Sequence, residues 1–290
     1  MSLSTLLPLI AAIIYAIGAL IVKRAAELGV GSWRTAFIAN LVGAVVFLPL
    51  ILVEGTNRLD LWWQPVIAGL VFTVGQSLTF TAMDKGDVSV ATPVLGLKIL
   101  FVALLVTFIA GQSLRPQLWL AALLATAGIA LLNFGGGHPH HHVARTIVTA
   151  ALAAAMFAIF DALVQAWAAA WGAARFVSLT IIAAAVCSLA FVPRFRAPLS
   201  AIPRPAWRWL LGGTTLMAAQ SLMFVFTVAH WRNAATANIV YSSRGLWSVV
   251  LVWLFGHWVK SREQHLGRST LSWRLSGATL MMAAIFLAVR

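Results

Sequence analysis

Apolar stretches of about 17–25 residues, the length that crosses a hydrocarbon core, recur at about 4–22, 35–53, 61–83, 88–110, 117–134, 146–168, 176–192, 208–229, 235–256 and 270–289. No other feature limits the fold as strongly. Between and within these stretches charge is scarce: 9% of the chain is charged and 61% hydrophobic, where a soluble domain is roughly a quarter charged. Too few Lys, Glu, Asp and Arg remain to cover a water-facing surface, so the solvent for most of that surface is lipid. The alternating pattern of a membrane β-barrel is absent. In lipid the backbone must then satisfy itself within helices. The expectation is an all-α, multi-pass protein of the cell membrane with ten transmembrane helices.

The first stretch, 6–22, is expected to be a retained span and not a signal peptide. No Lys or Arg precedes it, it is long for a signal core, and Lys23 and Arg24 follow it. The net charge of +13 would suggest nucleic acid in a soluble protein. Here the basic residues cluster between apolar runs, where they set topology and meet anionic headgroups, so no nucleic-acid partner is expected. Cys187 is the only cysteine, which rules out an intrachain disulfide.

The longest polar interruption at mid-chain is Gly135-Gly136-Gly137-His138-Pro139-His140-His141-His142. It divides ten spans into five and five: a first unit at 1–134, a linker at 135–145 and a second unit at 146–290. The histidines are read as part of a flexible linker, with no metal site expected. Sequence echoes join the two units. Gln76-Ser77-Leu78-Thr79-Phe80 is matched by Gln220-Ser221-Leu222-Met223-Phe224. Ala91-Thr92-Pro93-Val94 followed by Lys98 is matched by Ala237-Asn238-Ile239-Val240 followed by Arg244, and Tyr15-Ala16-Ile17 by Phe157-Ala158-Ile159. Five spans per unit would set the units antiparallel, the inverted-repeat plan of many transporters.

Three charges fall well inside apolar spans: Lys98, Asp161 and Arg244. Each costs about 2.5–3.5 kcal/mol at a helix centre on insertion scales, so each should face the bundle interior. Asp161 paired with one cation would hold helices in register, and it is also a candidate carrier of a coupling proton. Two cations and one anion leave a positive charge over, which favours an anionic ligand. Pro93 and Gly96 weaken the helix before Lys98, and Tyr241-Ser242-Ser243 precedes Arg244 at the matching place. Breaks in corresponding spans of two repeats point to a binding site. Tyr241 shares a helical face with Arg244, and Asp161 shares one with Phe157 and Gln165. Gln76 and Gln220 place amides in related spans, either as substrate contacts or as interhelical hydrogen bonds. Asn238, Tyr241 and Ser242 are further candidate hydrogen-bonding groups. Several Trp residues, including Trp62, Trp63, Trp258 and Trp273, fall at span ends, where indole suits the membrane interface. No Walker A, His-Glu-x-x-His or Gly-x-Ser-x-Gly pattern occurs, so no catalytic residues are assigned and no enzyme is expected.

Ten spans in two halves, with Lys98 and Arg244 at matched positions, resemble the drug/metabolite transporter superfamily, and its EamA-like members in particular. The resemblance rests on 15–23 in the first span, Arg34 at the start of the second, and 87–101 leading through the fourth. It implies a secondary transporter, an exporter by family habit, working by alternating access on a small-molecule substrate. The cation in the fourth and ninth spans is also similar to the sugar-phosphate and nucleotide-sugar branches, where it implies an anionic cargo. Many EamA-like proteins carry Gly-Glu after these spans, where this chain has Gly111-Gln112 and Gly256-His257. The resemblance implies cytoplasmic termini, whereas the Lys and Arg at 23–34, 194–208 and 260–274 place the termini outside by the positive-inside rule.

The expected cargo is a small organic metabolite such as an amino acid or organic acid, bound by Lys98, Arg244, Asp161, Gln76, Gln220, Tyr241, Ser242 and Asn238. No cofactor is expected beyond a proton at Asp161. The protein would work as a monomer or homodimer in the bilayer. A membrane-embedded enzyme and a non-transporting assembly or sensor protein are the competing readings.

Overall fold

The computed structural model describes residues 2–53, 55–85, 88–109, 111–132, 143–255 and 268–289. The Gly/His-rich segment 135–142, Trp258, Gly256-His257 and most of the basic segment 260–274 lie outside the described residues. Within them the chain is helical and contains no strand. The helices are α1 (Leu3–Glu27), α2 (Ser32–Phe47), α3 (Trp63–Lys85), α4 (Val88–Leu95), α5 (Lys98–Ile109), α6 (Pro116–Leu132), α7 (Val143–Trp171), α8 (Ala173–Cys187), α9 (Arg204–Trp231), α10 (Ala234–Tyr241), α11 (Arg244–Phe255) and α12 (Arg268–Val289). Short 3-10 turns extend α2 and α8, at Leu48–Leu52 and Ser188–Arg194.

Seven helical runs are long and apolar enough to cross a membrane: Leu3–Glu27, Ser32–Leu52, Leu59–Met83, Val90–Ile109, Val143–Trp171, Ala173–Arg194 and Arg204–Trp231. Pro116–Leu132 and Leu275–Val289 are shorter apolar helices. Large apolar side chains such as Val45, Leu52, Phe108, Leu123, Val186 and Met282 point outward. That surface suits hydrocarbon. Trp62, Trp63 and Trp273 are exposed as well.

Helix α7 lies at the centre because its sequence is small. Ala150, Ala153, Ala154, Ala158, Ala162 and Ala168 are fully buried along it. Without a hydrophobic force between helices in lipid, small residues let backbones approach and pack. Helices α3, α4, α5, α8 and α9 pack against it. A glycine contact joins α6 to α12: a Cβ at Gly277 would lie 2.7 Å from the Gly128 carbonyl oxygen, so only hydrogen fits there. Gly172 alone separates α7 from α8, and its φ of 85° is a conformation that side-chain-bearing residues rarely adopt.

The packing pairs recur. α1 packs on α9 as α3 packs on α7, and α2 on α9 as α8 on α3. Two arginines add polar ties of the same kind. Arg34, third residue of α2, donates to the carbonyls of Gly29 (2.7 Å) and Pro198 (3.3 Å). Arg175, third residue of α8, donates to the Ile51 carbonyl at 3.0 Å and to Asn57 Oδ1 at 2.9 Å. Each arginine thus reaches the segment that follows the other's helix.

Candidate functional site

Two interrupted helices meet near the centre of the bundle. The first runs from α4 to α5 and is broken at Gly96-Leu97; the second runs from α10 to α11 and is broken at Ser242-Ser243. Pro93 does not itself end α4, which continues to Leu95. The interruption falls instead at glycine, and a Cβ at Gly96 would come within 2.9 Å of both the Ile129 side chain and the Pro93 carbonyl oxygen.

Lys98 opens α5 and Arg244 opens α11. A helix N-terminus carries partial positive charge and ordinarily disfavours a cation. Here two cations and two such termini are gathered around one cavity of about 30 Å³, lined by Leu95, Gly96, Lys98, Ile99, Ile129, Asn238, Tyr241, Ser242 and Arg244. A volume of that size holds about one water.

The two cations are treated differently. Lys98 Nζ lies 2.8 Å from Asp161 Oδ2, in a pair whose carboxylate is almost wholly buried. Its ammonium also lies 5.2 Å from the Phe224 ring centroid and 5.9 Å from that of Phe157. Asn238 Nδ2 donates to the same Asp161 oxygen at 2.6 Å, and to the Ala234 carbonyl at 2.9 Å. Arg244 has no carboxylate partner among the described residues. Its guanidinium lies between Tyr15 and Tyr241, 4.7 and 4.8 Å from their ring centroids. Such contacts attract a cation without neutralising it.

The remaining candidate residues divide. Tyr241 donates its hydroxyl to Gln220 Oε1 at 2.7 Å, so Gln220 joins the site through Tyr241. Ser242 lines the cavity but donates back to the Ile239 carbonyl at 2.6 Å. Gln76 lies elsewhere. It exchanges two amide hydrogen bonds with Asn40, at 2.8 and 3.0 Å, and so ties α3 to α2.

Several groups were not assigned from the sequence. Gln165 accepts from the Ala234 backbone N–H at 2.8 Å and donates to Gln112 at 2.7 Å, continuing a polar chain away from Asp161. The periodic face of Asp161 and Gln165 was the available signal for it. The buried Ser243 Oγ and Trp247 Nε1 have no hydrogen-bond partner among the described residues. Ser243 immediately precedes Arg244, the first residue of α11, and Trp247 lies three residues further on. Nothing in the sequence marked Tyr15 as an arginine contact, because that contact depends on α1 packing against α11.

The fold and site define an integral membrane protein: a helical bundle of apolar spans with Lys98, Asp161 and Arg244 gathered where two helices break. Residues 2–134 match the family model of the EamA-like transporter family. No curated protein matches the chain in sequence. A solved crystal structure aligns over 99% of this chain and 98% of its own length, with a TM-score of 0.76 and 17% identity. At that identity the likeness speaks for the fold.

Proposed function

We propose that the protein is a secondary transporter of a small organic metabolite bearing an anionic group. Ten spans form two inverted five-helix repeats, 1–134 and 146–290, which rock about the central site so that it opens to one side at a time. The observation that carries this reading is the meeting of two interrupted helices, each restarting at a cation, around one small cavity. The recurring helix pairs and the reciprocal ties of Arg34 and Arg175 support the repeat. The α6, α10–α11 and α12 helices would complete ten spans beside the seven long ones. Lys98, Arg244, Asn238, Tyr241 and Ser242 would line the substrate's path, with Gln220 steadying Tyr241. Asp161 clamps Lys98 or carries a coupling proton. Export is the direction that the family suggests.

The test is release from proteoliposomes loaded with pooled small metabolites and followed by mass spectrometry. A transporter releases one compound at unchanged mass, and Arg244→Ala abolishes the release. A new mass would indicate an embedded enzyme. Binding without release would indicate an assembly or sensor role.

A further inference from the structure

The charges gathered at the site do not cancel. Lys98 and Arg244 contribute two positive charges and Asp161 one negative. Lys98 and Asp161 form a contact pair at 2.8 Å, which leaves the single charge of Arg244 without a carboxylate partner among the described residues. Phe157, Phe224, Tyr15 and Tyr241 surround the two cations, and only neutral Asn238, Tyr241 and Ser242 supply further polar groups to the cavity wall. In so apolar a setting a net charge is costly and is lowered by a counter-charge.

We propose, on the transporter reading above, that the site is matched to one negative charge. The cargo is a small monoanion whose carboxylate or other single-charged oxyanion sits on Arg244, while Lys98 stays with Asp161. A neutral compound leaves the surplus charge in place, and a dianion reverses it. The unpartnered Ser243 hydroxyl and Trp247 indole N–H stand in sequence on either side of Arg244. Both are donors of the type an oxyanion accepts, at the start of a helix whose N-terminus favours an anion. With a monoanion the charges close without a proton on Asp161, so Asp161 acts as the clamp of Lys98. The four rings favour a cargo with a planar apolar body.

The charge count gives the test. The full chain, in nanodiscs of uncharged lipid at pH 7, is unfolded thermally in benzamide, benzoate and phthalate at equal ionic strength. These probes share a ring and carry zero, one and two negative charges. Benzoate should bind at least about tenfold more tightly than the other two, and Arg244→Gln should erase that preference. Asp161→Asn adds one positive charge and should move the preference to phthalate. Where Asp161→Asn does not fold, the wild-type preference and its loss in Arg244→Gln decide. A wild-type preference for benzamide or phthalate, no response to any of the three, or a benzoate preference that survives Arg244→Gln overturns the proposal. Flux separates this from the transporter reading. Benzoate that binds as stated but does not cross proteoliposomes defeats transport and leaves the charge match standing. Transport of all three probes alike defeats the charge match and leaves transport standing.

Discussion

The ammonium of Lys98 stands 2.8 Å from the carboxylate of Asp161, and Asn238 holds the same carboxylate oxygen at 2.6 Å. The three residues come from α5, α7 and α10, so one buried carboxylate fixes three helices. Breaking such a pair leaves an uncompensated charge, at about 3–5 kcal/mol. Lys98→Met alone and Asp161→Leu alone should each lower the thermal unfolding midpoint strongly, Lys98→Met the more because it strands the more buried partner. The double variant Lys98→Met/Asp161→Leu should recover most of the loss. A double variant no more stable than either single change would show that the pair is not what joins these helices.

The hydroxyl of Tyr241 bonds Gln220 while its ring lies against Arg244, and the two roles separate by substitution. Tyr241→Phe keeps the ring and loses one buried hydrogen bond, a change of about 1–3 kcal/mol because Gln220 Oε1 loses its donor. Binding of an anionic probe should survive it. Tyr241→Ala removes both contacts and should lower stability and probe affinity together. Thermal unfolding with and without probe checks both, and equal affinity loss in the two variants would contradict the separate roles.

How far the site could be read from the sequence depended on the kind of interaction. The cost of charge in lipid singled out Lys98, Asp161 and Arg244, since a residue placed there at several kcal/mol must have a use or a partner. Which cation takes Asp161 was not legible. That choice rests on α5 packing against α7 while α11 packs against α1, and helix partners are absent from a one-dimensional pattern. Gln76 shows the same limit. Its echo with Gln220 is plain in the sequence, yet Asn40 meets Gln76 and Tyr241 meets Gln220, so equivalent positions have different neighbours. The apolar runs of the fold were legible because length and hydropathy are local. The break at Gly96-Leu97 was legible only as a weak stretch, because Pro93 is the louder local signal and yet α4 runs past it to Leu95.

The α6–α12 contact predicts a contrast between glycines. At Gly277 a Cβ would meet the Gly128 carbonyl oxygen at 2.7 Å and the Leu132 nitrogen at 2.8 Å, both backbone atoms that cannot swing aside. Gly277→Ala should destabilise by about 1–3 kcal/mol, the cost of forcing extra volume into a packed contact. A Cβ at Gly212 would meet nothing within 4 Å, so Gly212→Ala should be neutral or slightly stabilising through helix propensity. Unfolding midpoints of the two variants measured side by side decide it, and equal midpoints would mean that α6 and α12 do not meet through these glycines.

Arg34 and Arg175 occupy equivalent places at the starts of α2 and α8 and hold segments far away in sequence. Each donates charge-assisted hydrogen bonds to carbonyls, worth about 1.5–3 kcal/mol apiece where the partners are shielded from water. Lysine cannot reproduce the two-pronged reach of a guanidinium. Arg34→Lys and Arg175→Lys should therefore both lower the unfolding midpoint, Arg34→Lys more, because Arg34 is 6% exposed while the Asn57 contact of Arg175 is exposed. Neither touches the cavity, so the affinity for an anionic probe should be unchanged in folded protein. If the two ties belong to moving halves, the same variants should also alter the rate of flux. A change in stability with no change in flux would make them fixed pivots, consistent with both ties being closed together in one structure.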